Sequence, residues 1–185
     1  MRGGGPFGTV GEASDTGSMT ERAITVAIET PCAALADEAD LRAVPLHTLA
    51  AEGLTSPVAL TIVLVDDATI HNLNRRFLDH DEPTDVITFA FDGAARGGAA
   101  SDADAFVLPA DTVRQLGEIY ISCERAAAQS AEWGSAPRRE VRFLVAHGVL
   151  HLLGWDDASA ETRAAMLARQ EAILADWPDA GQGQR

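Results

Sequence analysis

The stretch APRREVRFLVAHGVLHLLG, residues 136–154, constrains the fold of this chain more than any other. Phe143, Leu144, Val145, Leu150, Leu152 and Leu153 fall on nearly every side of a helix, so no face suits water and the helix must be covered all round. A helix of that kind belongs at the centre of a layer. Yet it carries His147 and His151, four residues apart and therefore stacked one above the other on a single face. Buried imidazoles need partners, and one shared metal ion supplies a partner to both.

The rest of the chain shows what covers that helix. AITVAIE (23–29), PVALTIVLVDD (57–67), DVITFAFD (85–92) and LGEIYIS (116–122) are short, apolar and rich in β-branched residues, and read as strands. DEADLRAVPLHTLAAEG (37–53) predicts a helix interrupted or tightened at Pro45. ATIHNLNRRFL (68–78) predicts one capped by Asp67, with Ile70, Leu73 and Phe77 on one face. CERAAAQSAEWG (123–134) predicts a helix stopped by Gly134, and residues 158–177 a last one opened by Ser159 and ended near Pro178. The expected fold class is α+β: one domain over residues 21–178, with a mixed, mostly parallel four-stranded sheet flanked by about five helices. The nearly continuous apolarity of residues 85–92 predicts a central strand. Residues 1–20 are expected to be a disordered extension, 93–105 a mobile insertion and 179–185 a flexible tail.

Charge narrows the partners. Twenty-eight acidic against fourteen basic side chains leave a formal net charge of −14, which discourages non-specific phosphate binding, so a nucleic-acid substrate requires a local cationic cleft and DNA is not expected as a partner. Cys32 and Cys123 stand alone without CxxC spacing and predict two plain thiols. No apolar run has signal-peptide form or reaches about eighteen residues, so a cytoplasmic protein without membrane contact is expected.

Metal chemistry follows from residues 147–157, HGVLHLLGWDD. Gly148 between the histidines costs about 1 kcal/mol relative to alanine, acceptable where backbone approaches a neighbour closely or leaves room for a ligand. Gly154 can turn the chain back and bring Trp155, Asp156 or Asp157 toward the imidazoles. Two histidines and a third protein ligand leave a zinc ion one open position for water, the arrangement of catalytic sites. The glutamate of the H-E-x-x-H peptidase pattern is absent because Gly148 occupies its place, which argues against peptide hydrolysis.

These residues resemble the signature H-G-x-L-H-L-x-G-[aromatic]-D-H of the YbeY family of bacterial rRNA-maturation endoribonucleases. Every fixed position is met except the last, where Asp157 stands in place of histidine. LNRRFLDHDEPTDVITFAFD (73–92) is similar to the family's L-N-x-x-[aromatic]-R-x-x-D-x-x-T-D-V-L-S-F block, and LGEIYIS to its L-G-D-I-x-I-[SC] block; the likeness extends over about residues 22–175. The resemblance implies one divalent ion, zinc as first choice, held by His147, His151 and Asp157, which are also the expected catalytic residues. Carboxylate oxygen binds zinc at a distance close to that of imidazole nitrogen, but its charge makes the ion a weaker Lewis acid. Asp157 could instead accept a hydrogen bond from water on the ion, with Asp156 capping the next helix.

A second departure is Leu78, at the position of a family arginine thought to meet substrate phosphate. Arg76, Arg125 and Arg139 are the expected substitutes for substrate binding, with Arg75, Arg138 and Arg142 nearby in sequence. Thr84 and Asp85 occupy family positions near the cleft, though Pro83 also makes them turn formers. The resemblance implies a metal-dependent, single-strand-selective endoribonuclease of rRNA processing, acting on small-subunit rRNA 3′ ends and in ribosome quality control, with ribosomal or GTPase partners. The alternatives are a ribosome-assembly binding protein with a structural metal, and a non-haem iron oxygenase built on two histidines and a carboxylate.

Overall fold

A computed structural model describes residues 22–29, 32–91, 112–175 and 177. The expected extension 1–20, insertion 93–105 and tail 179–185 lie outside the described residues. Within them are four strands, β1 (Arg22–Ile28), β2 (Val58–Val65), β3 (Val86–Ala90) and β4 (Arg114–Ser122). Five α-helices accompany them: α1 (Glu38–Ala51), α2 (Asp67–Leu73), α3 (Cys123–Trp133), α4 (Pro137–Leu152) and α5 (Ala160–Leu174). The strands form one sheet in the order β1-β2-β4-β3, parallel across the first three and antiparallel at β3. The mixed, mostly parallel α+β architecture expected from the sequence is present.

Alternation in β2 shows how the sheet is covered. Val58, Leu60, Ile62 and Leu64 are buried, while Ala59, Thr61 and Val63 between them are less so for the most part. The buried set joins Ile119 and Ile121 of β4 and Val141, Val145, Val149 and Leu152 of α4 in the main core. Helix α4 lies against the sheet, with α1, α3 and α5 packed around it, as its all-round apolarity demands. Gly148 is the point of closest approach: a Cβ there would lie 2.6 Å from Ile119 Cγ2. That glycine therefore serves helix–strand packing. On the other side of the sheet, Ile70 of α2 closes a smaller core with Val65 and Ile87.

Four expectations about strands, helices and caps are corrected. Strand β3 is an edge strand, not a central one; it carries apolar residues on both faces because Ile87 and Phe89 pack with the α2 cluster while Val86 joins the main core. Helix α1 runs through Pro45 as a single element, with that proline buried. The cap of α2 is Asp66, whose carboxylate accepts from the Thr69 N–H at 2.7 Å; Asp67 is the first helical residue and accepts from the Ser122 hydroxyl. The helix expected to run on to residue 78 widens into a π-helical turn over Asn74–Leu78, ended by Asp79 at φ 62°. Asn74 pins that turn by donating from Nδ2 to the Glu82 carbonyl at 2.7 Å.

Cys32 and Cys123 form a disulfide across 91 residues, with Cα atoms 5.5 Å apart, contrary to the expectation of free thiols. Cys32 follows β1 and Cys123 follows β4. Both strands run parallel to β2, so their C-termini emerge at the same end of the sheet, about 10 Å apart across β2, and the connecting residues converge. Sequence spacing carries no trace of that convergence. Closing so long a loop restricts the unfolded chain, and replacing both cysteines by serine is expected to lower stability by about 2–4 kcal/mol. Urea unfolding of the two forms measures this; equal midpoints with and without reductant would show that the bond does not form in solution.

Candidate metal centre

Helix α4 begins with Pro137 at its first turn, where a missing N–H does no harm, and ends as Gly154 turns left-handed at φ 89°. The reversal is held by Trp155 N–H donating to the Leu150 carbonyl at 3.0 Å. Farther out, the Trp155 indole donates to Glu52 at 2.9 Å, and Arg169 of α5 donates to the same carboxylate at 2.7 Å. The turn is thereby tied to the end of α1. Asp156 accepts from the Ala158 N–H at 3.1 Å, and Ser159 caps α5 in a reciprocal box with Thr162.

The consequence is convergence. His147 Nε2 and His151 Nε2 stand 3.0 Å apart, and each lies 3.8 Å from a carboxylate oxygen of Asp157. Donors about 2.0–2.2 Å from one tetrahedral ion are separated by about 3.3–3.6 Å, so these atoms fit a common cation after shifts of a few tenths of an ångström. Of the third ligands open from sequence, Asp157 joins the histidines; Asp156 is held in its own turn. Two imidazoles and a carboxylate suit zinc and other borderline divalent ions.

Outer contacts orient the rings. The His151 Nδ1–H donates to the Trp155 carbonyl at 3.0 Å, and the His147 Nδ1–H to Gln170 Oε1 at 3.2 Å. Gln170 is buried on α5 and anchored by donating from Nε2 to the Phe143 carbonyl at 2.6 Å. With both Nδ1 atoms protonated, both Nε2 lone pairs face the cation position. Burial, and then the neighbouring His151, hold the His147 pKa below its ordinary 6.5 despite opposing pulls from Gln170, Asp157 and Asp85. The imidazole is therefore neutral at physiological pH and ready to ligate. Sequence reading missed Gln170, although it sits between Met166 and Ile173 on the inner face of α5, where a polar residue interrupts an apolar stripe. Gln170→Leu is expected to weaken metal affinity about 10- to 100-fold, measured by competition with a chromophoric chelator.

A cleft of about 790 Å³ adjoins the centre and includes His147 in its lining. Asp85 also lines it; its carboxylate accepts from the Val86 N–H and from Gln129 Nε2, each at 2.8 Å, so this residue both shapes the turn and faces the cleft. Thr84 donates to it at 3.2 Å. Of the expected substrate-binding arginines, Arg139 lines the cleft, whereas Arg76 and Arg125 do not. Arg76 lies 5.2 Å over the Phe77 ring and Arg125 pairs with Asp67 at 3.4 Å. Arg142 is buried in the cleft wall against Asp40 at 3.0 Å, and Arg138 reaches Asp37 at 3.6 Å. Leu78 is exposed on the π turn. Half-buried Glu140, beside Arg139, has its pKa raised by burial, with Arg139 lowering and Asp85 raising it.

Fold and site together define an α+β protein with a two-histidine, one-carboxylate cation centre at the mouth of a cleft. The sequence pattern of the family described as endoribonuclease YbeY matches residues 30–178. Endoribonuclease YbeY of Roseiflexus sp. (strain RS-1) is 42% identical over 85% of this chain and 94% of its own length. The protein of that name from Symbiobacterium thermophilum is 44% identical over 69% of this chain and 76% of its own length. The chain belongs to the YbeY endoribonuclease family. The solution structure of TM1509 from Thermotoga maritima, 24% identical, aligns over 88% of this chain and 99% of that one with a TM-score of 0.50, a likeness of fold.

Proposed function

We propose that this chain is a metal-dependent endoribonuclease that hydrolyses single-stranded segments of ribosomal RNA, in small-subunit 3′-end maturation and ribosome quality control. The observation that carries the metal dependence is the convergence of His147, His151 and Asp157 beside the cleft. A divalent cation bound there, zinc as first choice, supplies Lewis acidity and acidifies water toward neutral pH. The chain's part is to place the phosphodiester against that centre. His147 and His151 act as neutral ligands with tautomers set by Gln170 and the Trp155 carbonyl, and Asp157 is the anionic third ligand. Arg139 is the cleft cation that offsets charge developing on phosphate, in the role that Leu78 cannot fill. Arg76 and Arg125, outside the cleft, would meet RNA only beyond it.

Residues 21–178 form the functional domain in this reading, with 1–20 and 179–185 as appendages. No helix among the described residues is long and apolar enough to cross a membrane. The proposed setting is the cytoplasm, and the net charge of −14 favours recruitment through a ribosomal or GTPase partner over attraction to RNA at large. The test is cleavage of single-stranded and duplex RNA by the purified protein before chelation, after it, and after zinc, manganese or magnesium is restored. Single-strand cleavage that disappears with chelation and returns with one of these ions is expected. Metal uptake without cleavage under any ion would instead leave a binding protein with a structural metal.

A further inference from the structure

Trp133 ends α3, immediately before Gly134 turns left-handed. It is 74% exposed, the most exposed large hydrophobic side chain among the described residues. The other two tryptophans are engaged: Trp155 donates to Glu52, and Trp177 packs edge-on against His47 at 5.4 Å between ring centres. Trp133 has no such role in packing, yet it lines the same cleft as His147 and Arg139. Leu167, also exposed, lines that cleft from α5.

The charges of the cleft decide what an aromatic surface there would meet. Arg139 and Arg142 are accompanied by Asp85, Glu140 and Glu171, and Arg142 is already paired with Asp40. Beyond the phosphate that meets the metal centre and Arg139, side chains so balanced offer the rest of a polyanion little net attraction. Base faces are the part of a single-stranded RNA that needs no positive charge for recognition, and they stack on exposed indoles whatever the sequence. In a duplex those faces are covered by neighbouring pairs, so the same surface discriminates against paired RNA.

We propose that Trp133 is the platform on which a base of single-stranded RNA stacks as the strand occupies the cleft lined by His147. The inference rests on the ribonuclease reading for its ligand, and adds the residue and the contact that give single-strand selectivity. Trp133→Ala is expected to raise KM for single-stranded RNA about 5- to 150-fold, the span found for removal of a stacking aromatic, with kcat changed less than about two-fold because the metal centre is untouched. Trp133→Phe, which keeps a ring, is expected to recover most of the loss. The dependence of binding on salt should stay the same in all three proteins, since no phosphate contact is altered.

Binding is read separately from cleavage. A short adenine-rich single-stranded RNA is titrated into the wild type and into Trp133→Phe, and the difference in tryptophan fluorescence isolates Trp133. Quenching by this RNA, with none by an abasic sugar–phosphate chain of the same length, is the expected result. Quenching without cleavage would uphold the platform while the nuclease reading fails. Cleavage with an unchanged KM in Trp133→Ala, or absence of Trp133 quenching, would overturn the platform and leave the nuclease reading intact.

Discussion

His151→Ala is expected to remove both the bound metal and RNA cleavage, with activity falling by more than about 100-fold. That figure is a floor, since loss of an outer partner of a ligand alone costs about 10- to 100-fold, and here the ligand itself disappears. His151 is central to the site: its Nε2 faces His147 at 3.0 Å and Asp157 at 3.8 Å, and its Nδ1–H fixes the ring on the Trp155 carbonyl. Without it, His147 and Asp157 alone cannot enclose a cation. Asp157→Ala leaves both imidazoles, so metal binding should weaken less than in His151→Ala. Elemental analysis and cleavage of single-stranded RNA, measured side by side with circular dichroism as a check on folding, give the result. Full metal content in His151→Ala would show that the ion sits elsewhere.

Gly117→Ala is expected to destabilise the fold by about 2–6 kcal/mol, a large part of an ordinary domain's margin. Two independent effects add. Gly117 has φ 146°, a conformation L side chains rarely adopt, with a cost of about 1–3 kcal/mol. Its missing Cβ would also be driven into the Phe89 backbone carbonyl of β3 and toward Leu152 of α4 at 2.9 Å, and overpacking of this kind costs a further 1–3 kcal/mol or so. The cause lies in the pairing of β2 with β4. Ala59 pairs with Gln115 but Leu60 with Gly117, so one extra residue is accommodated at Leu116 and the strand must bend beside it. Urea denaturation monitored by fluorescence should show a lower midpoint, and an unchanged midpoint would mean that β3 can move away.

Neither residue was equally visible from the sequence. His151 declares itself, because a polar ring at helical spacing from another, on an otherwise apolar helix, has few ordinary explanations. Gly117 gives no such sign: within LGEIYIS it reads as a small residue in a strand, and its necessity comes from β3 and α4 pressing on it from distant parts of the chain. Gln170 lies between these cases. Its position on the inner stripe of α5 was legible, but its partners, His147 and the Phe143 carbonyl, were not. The same limit explains β3. Apolarity on both faces reports that both are covered, and it does not tell whether a neighbouring strand lies on each side.

By itself the sequence determined most of the elements and singled out His147 and His151 as candidate ligands, since periodicity and the i, i+4 histidine pair act over one or two helical turns; Asp157 was marked only by the family resemblance, among Trp155, Asp156 and Asp157. Helix α4 had to be central, Gly154 had to turn the chain, and Asp157 could then reach back. Tertiary structure decided which cysteines meet, which strand lies at the edge, that Arg139 and not Arg76 or Arg125 lines the cleft, and that Trp133 stands exposed beside it. The physical reason is one of range. Backbone preferences and side-chain spacing are written in neighbouring residues, whereas proximity between distant segments arises only when the whole chain minimises its exposed apolar surface, and many local patterns are compatible with that outcome.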